Sequence, residues 1–204
     1  NGDKVWLQLK NRYGNQEYLR ENGLACSVAS SLFSHGGAGM DRSALDARME
    51  ELNATWSIGP EGLSLSVKKA NLNAALDTLI KVWMNPLLPE VEFDRRRHSM
   101  VSSIDTTLTN PDSIADKELD FRFDNYPEGH PSKPKTFEVI REERRNLTYG
   151  KVRSCAEDTK GLADSLFIVT GDISRDEFIR LWEQRFKPLP KSRIGYERVR
   201  APKG

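Results

Sequence analysis

The sequence predicts an α+β domain, an antiparallel sheet covered by helices on one face. Lys4 to Lys10 alternates, with Val5, Leu7 and Leu9 on one side and Lys4, Trp6, Gln8 and Lys10 on the other, the period-two pattern of a half-buried strand. Thr55 to Ile58 and Leu63 to Val67 alternate as well, and Gly59-Pro60-Glu61-Gly62 between them is a hairpin signal. Leu166-Phe167-Ile168-Val169-Thr170 reads as a short buried strand. Helical spacing fills the stretches between these strands, and strands and helices in mixed order with hairpin pairing argue for helices layered on an antiparallel sheet.

The helices follow in order. Asn22 reads as the cap of a first helix whose apolar set is Leu24, Ala25, Val28, Ala29 and Leu32, ending at Gly36-Gly37. MDRSALDARMEELNA places Leu45, Met49 and Leu52 on the buried face of a second. NLNAALDTLIKVWM repeats the spacing through Leu72, Leu76, Leu79, Ile80 and Trp83, and Pro86 and Pro89 end it. A long polar helix runs from Glu90 to about Thr109, where Asn110-Pro111-Asp112 breaks it before another that reaches about Phe123. NYPEGHPSKPK is a loop, and helices are expected over Phe137 to Arg145, Tyr149 to Asp158 and Arg175 to Phe186. KPLPKSRIGYERVRAPKG, rich in Pro and charge, closes a single domain over 1–190 and continues as a linker over 191–204. Leu24, Val28, Leu32, Leu65, Val67, Leu76, Leu79, Ile168 and Phe178 are the expected core.

Composition bounds the function. With 31 Lys+Arg against 30 Asp+Glu, formal net charge +1, no overall field draws in nucleic acid or an acidic membrane. The 37% of hydrophobic residues suffices for a buried core, yet no apolar run approaches a membrane span. The two cysteines, Cys26 and Cys155, match neither a metal-ligand spacing nor a disulfide framework and read as separate buried thiols. They leave the compartment open between bacterial periplasm and cytoplasm.

The chemical motifs are weak. Gly36-Gly37-Ala38-Gly39 follows a helix, whereas phosphate-binding glycines precede one. Cys26 and His35 lie over two helical turns apart, too far for a nucleophile and its base. Arg95-Arg96-Arg97-His98 is balanced by Glu90, Glu92 and Asp94, a solvated face. Glu142-Glu143 adjoin in REERR, where catalytic carboxylates would face each other across a cleft. His130 in EGHP is a lone loop histidine, a surface residue or a packing partner before it is a ligand.

One order of segments is specific: GLA opening a small-residue helix closed by F-x-x-GG, then ALDARMEELNATWS, ALDTLIKVWMNPLLPEVEFDRRR, EGHP and FIVTGDIS. Over about Val5 to Pro190 the chain resembles a domain of the pitrilysin/insulinase family of zinc peptidases, which includes processing peptidases. The resemblance implies the processing-peptidase-like metallohydrolase fold, with two homologous halves closing as a clamshell. In the family's catalytic domain a first-helix motif His-x-x-Glu-His binds zinc through its histidines and activates water through its glutamate, and a later helix adds a glutamate ligand. Laid onto this sequence, the resemblance puts the histidines on Cys26 and Ser30, the general base on Ala29, and the later ligand on Ser103 in MVSSIDTT.

The residues at those four positions cannot do that chemistry. An alanine accepts no proton, a serine hydroxyl is a poor zinc ligand, and one thiolate falls short of three protein ligands. The resemblance therefore implies a non-catalytic domain with no cofactor of its own. Zinc is expected in a catalytic half, on the same or a partner polypeptide, with a peptide as substrate enclosed between the halves. The alternative is a scaffolding subunit of the core-protein type, with no part in proteolysis.

Overall fold

The structure is a computed structural model and describes residues 2–199. Along the chain run β1 (Lys4–Arg12), α1 (Gln16–Phe33), the short pair β2 (Gly36–Gly37) and β3 (Met40–Asp41), α2 (Arg42–Glu51), β4 (Thr55–Gly59), β5 (Gly62–Lys68), α3 (Leu72–Met84), α4 (Glu90–Leu108), α5 (Pro111–Arg122), α6 (Phe137–Asn146), α7 (Tyr149–Asp158), β6 (Asp164–Gly171) and α8 (Arg175–Leu181). A π-helical turn, Trp182–Phe186, continues α8.

Four strands form one sheet in the order β4-β5-β1-β6, antiparallel throughout. The predicted alternation sets its two faces. Val5, Leu7 and Leu9 of β1 are buried beside Val67, Leu65 and Leu63 of β5, and Val169 and Phe167 of β6 lie on the same side. Trp6, Gln8 and Lys10 turn the other way with Ser66, Ser64, Thr170 and Ile168. Such segregation fits an antiparallel sheet with one packed and one open face. The core joins the packed face to Val28, Ala29 and Leu32 of α1 and to Leu76, Leu79 and Val82 of α3.

Four expectations need correction. Helix α1 begins at Gln16, not after Asn22: Asn15 is the cap, its side chain accepting from the Tyr18 amide at 2.8 Å. The opening turns carry Glu17, Arg20 and Glu21 and so show no apolar stripe, while Asn22 bonds back to the Tyr18 carbonyl within the helix. The helix also stops at Phe33, and Gly36-Gly37 is a strand instead of its end. At Gly36, with φ +110, a Cβ would stand 2.3 Å from the Met40 carbonyl, so this approach of two backbones admits only glycine.

The third correction concerns β6, which is longer than expected, half-buried and paired on one side only, with Leu166 53% exposed. A continuous apolar run does not reveal which of its residues face the core. Fourth, Leu24, Ile168 and Phe178 are only half-buried, whereas Val28, Leu32, Leu65, Val67, Leu76 and Leu79 are buried as expected. Ile168 lies opposite Gln8 on the open face. Phe178 stacks on Phe167 at the sheet margin, centroids 5.4 Å apart.

The described part of the expected linker, 191–199, is tied to the domain. Leu162 exchanges two backbone bonds with this strap, its amide donating to Pro190 O and its carbonyl accepting from Ser192 N, both at 2.8 Å, and the Gly14 amide donates to Gly195 O at 2.9 Å. Residues 200–204 lie outside the described residues.

Leu76 is fully enclosed between α3 and the sheet. Leu76→Ala is expected to cost about 2–5 kcal/mol in urea unfolding; a loss below about 0.5 kcal/mol would show that α3 does not pack there.

Candidate functional site

Cys26, Ala29 and Ser30 sit one turn apart on α1, so their side chains share one helix face. That face is pressed into the fold, against α7 on one side and the β4–β5 hairpin on the other. Ala29 has 0% exposure and belongs to the central apolar cluster.

Ser30 meets the hairpin. Its Oγ donates to Glu61 Oε1 at 2.8 Å, and a Cβ on Gly59 would stand 2.8 Å from that Oγ, so backbone and serine are in direct contact. The hairpin is held by Trp83 Nε1 donating to Gly59 O at 2.9 Å and by the Asn11 amide donating to Glu61 O at 2.7 Å. Beside it opens a cleft of about 320 Å³ lined by Gln8, Lys10, Ser30, Ser57, Glu61 and Ser64. Burial, and then the Glu61 carboxylate, push the Tyr13 phenol up to about 12.

Cys26 and Cys155, expected as separate thiols, are joined. The disulfide links α1 to α7 across a sequence separation of 129, with Cα atoms 5.4 Å apart. The pairing could not be read from spacing, because it depends on α7 docking beside α1. The Tyr18 hydroxyl lies 4.0 Å from Cys26 Sγ and 3.5 Å from the Asp158 carboxylate. Burial first, and then the charge of Asp158, raise the Tyr18 phenol well above its ordinary value.

Ser103 is not joined to this face by hydrogen bonds. It is exposed on α4, donates to Met100 O at 2.9 Å and accepts from Arg144 Nη1 of α6 at 3.1 Å. Together the four positions offer an oxidised sulfur, a methyl group and two hydroxyls that already have partners. That donor set does not fit zinc, which needs three protein ligands with deprotonated sulfur, imidazole or carboxylate donors. Among the described residues no three His, Cys, Asp or Glu side chains converge as a metal site.

The remaining candidates make local contacts. Within the basic run Arg95 pairs with Glu92 at 2.8 Å and Arg97 with Asp94 at 3.0 Å, and His98 Nδ1 lies 2.8 Å from Asp94 O, all on the same helix. Glu142 receives Asn146 at 2.7 Å, and Glu143 receives Lys135 at 2.7 Å. His35 Nε2 is 3.7 Å from Glu92 of α4. His130 is buried, stacked on Tyr126 with centroids 4.5 Å apart, and its Nδ1 accepts from the Ser132 amide at 3.0 Å.

No family model matches the chain, and no curated protein matches it by sequence. Solved structures share its fold. A peptidase M16 inactive domain from Pseudomonas fluorescens is 20% identical with a TM-score of 0.76, over 100% of this chain and 49% of that one. The ferredoxin protease FusC, solved as a mutant with Arabidopsis ferredoxin, is 15% identical with a TM-score of 0.74, over 98% of this chain and 22% of its own. The periplasmic protease PqqL from Escherichia coli is 13% identical with a TM-score of 0.66, over 98% and 22%. The chain thus spans 49% of the Pseudomonas chain and a smaller share of the two proteases. At these identities the likeness is one of fold, and it is the α+β fold the sequence predicts.

Because Ala29 has no exposed surface, Ala29→Glu places a carboxylate among apolar side chains without a partner. The variant is expected to lose about 3 kcal/mol or more in guanidinium unfolding. A loss below about 1 kcal/mol would show that this helix face opens to solvent.

Proposed function

We propose that this chain is a non-catalytic domain of a pitrilysin-type zinc metallopeptidase, forming part of the wall around an enclosed peptide. One observation carries the reading. The whole chain superposes on a domain described as inactive, while the helix face that would bear the zinc motif is occupied by Cys26, Ala29 and Ser30.

The division of labour follows from chemistry. Hydrolysis of a peptide by this class needs a metal-bound water and a carboxylate to take its proton, and Cys26, Ala29, Ser30 and Ser103 supply neither a zinc donor set nor that carboxylate. Both belong to a catalytic half bearing His-x-x-Glu-His, on the same polypeptide or a partner, and that half holds the zinc. This domain then supplies shape, and backbone groups that hold an extended peptide against the catalytic face. A scaffolding role without proteolysis is separated from this by activity alone.

The experiment mixes the purified non-catalytic and catalytic halves and follows cleavage of a fluorogenic peptide with and without a chelator. The non-catalytic chain alone is expected to cleave nothing, and the pair to show chelator-sensitive cleavage. Chelator-sensitive activity in this chain alone contradicts the reading, and a catalytic half fully active without its partner favours the scaffold.

A further inference from the structure

The disulfide lies in a closed circuit of contacts. Asp158, the last residue of α7, accepts through its carbonyl from Ser192 Oγ at 2.9 Å, Arg193 N at 3.0 Å and Ile194 N at 3.2 Å. The same strap exchanges two backbone bonds with Gly14, through Gly14 N to Gly195 O at 2.9 Å and Glu197 N to Gly14 O at 3.0 Å. Gly14 immediately precedes the Asn15 cap of α1. From α1 the path runs through Cys26–Cys155 to the end of α7, along the strap 192–197, and back to the start of α1. Thr159 reinforces the corner, since its amide and Oγ1 both donate to Cys155 O, at 3.0 and 2.7 Å.

We propose that the Cys26–Cys155 bond is a redox-dependent clamp that fixes the strap 192–197 to α1, and that the domain matures where disulfides are made. Both cysteines are buried, at 3% and 1% exposure, so an incoming disulfide has no route to them once α7 is docked. The bond therefore forms during folding. One cysteine thiolate attacks a sulfur of a donor disulfide, such as oxidised glutathione or an exchange protein, and releases one thiolate. The second cysteine thiolate then displaces the other half of the donor. The two cysteine thiols lose two protons and two electrons, and the donor leaves as two thiols. The burial that delays formation also shields the closed bond from reductant. A chain made in a reducing cytosol keeps both thiols and holds α7 to α1 through packing around Val152 and Ala156 and through the Tyr18–Asp158 hydrogen bond, without a covalent tie.

The test uses the 204-residue chain, produced once with export to an oxidising compartment and once in a reducing cytosol. Alkylation under denaturing conditions followed by intact mass is expected to find no free thiol in the exported protein and two in the cytosolic one. The bond closes a long loop, so the reduced protein and Cys155→Ala should melt lower by roughly 10 °C or more. Amides at 192–197 should exchange with solvent roughly tenfold faster in the reduced form, while those of β1 and β5 change little. Two free thiols in folded, exported protein overturn the proposal. Equal melting temperatures, or equal exchange at 192–197 in the two forms, overturn it too. If Cys155→Ala fails to fold, the reduced wild-type chain supplies both readouts.

Discussion

The fold depends on how closely α1 is held. Its inner face carries Ala25, Cys26 and Ala29, all buried, and this small-residue stripe lets the helix lie near α7 and the hairpin while Val28 and Leu32 reach the core. Close packing of this kind leaves no room for added polar atoms or the water they would need. A metal-binding face on the same helix requires the reverse, with donors converging on a cavity open to substrate. The two arrangements exclude each other, and here packing has the position.

The neighbouring contacts are consequences of that choice. With α1 fixed, Ser30 is presented to the hairpin and satisfies Glu61, and the Gly59 backbone comes close enough to touch it. On the opposite flank α7 lies near enough for Cys26 to join Cys155, a covalent tie between α1 and an element far along the chain. The end of α7 then gathers the C-terminal strap through the Asp158 carbonyl. Two helices distant in sequence, α1 and α7, are thus joined through sulfur.

Much of this was legible in the sequence, and the limits have physical causes. Alternation marked β1 and the β4–β5 hairpin, the Asn110-Pro111 signal marked the break between α4 and α5, and α7 matches its predicted span from Tyr149 to Asp158. Period-two and 3.6-residue patterns are local, and they survive folding unchanged. The start of α1 is hidden because Gln16 to Gly23 is largely solvated and so shows no apolar period. The outer face of β6 is hidden because an unbroken apolar run carries no phase. That Cys26, Ala29 and Ser30 share one helix face could be read from their spacing alone. What that face meets could not, since the disulfide and the Ser30–Glu61 bond are long-range contacts made by docking.

The central claim is that this face of α1 serves packing and not metal chemistry. Calorimetric titration of zinc into oxidised, tag-free chain tests it directly, with metal analysis of the same sample. The account predicts no stoichiometric site, since Cys26 is oxidised, Ala29 has no donor and Ser30 is bonded to Glu61. One tightly held zinc per chain, lost in Cys26→Ala, would contradict it.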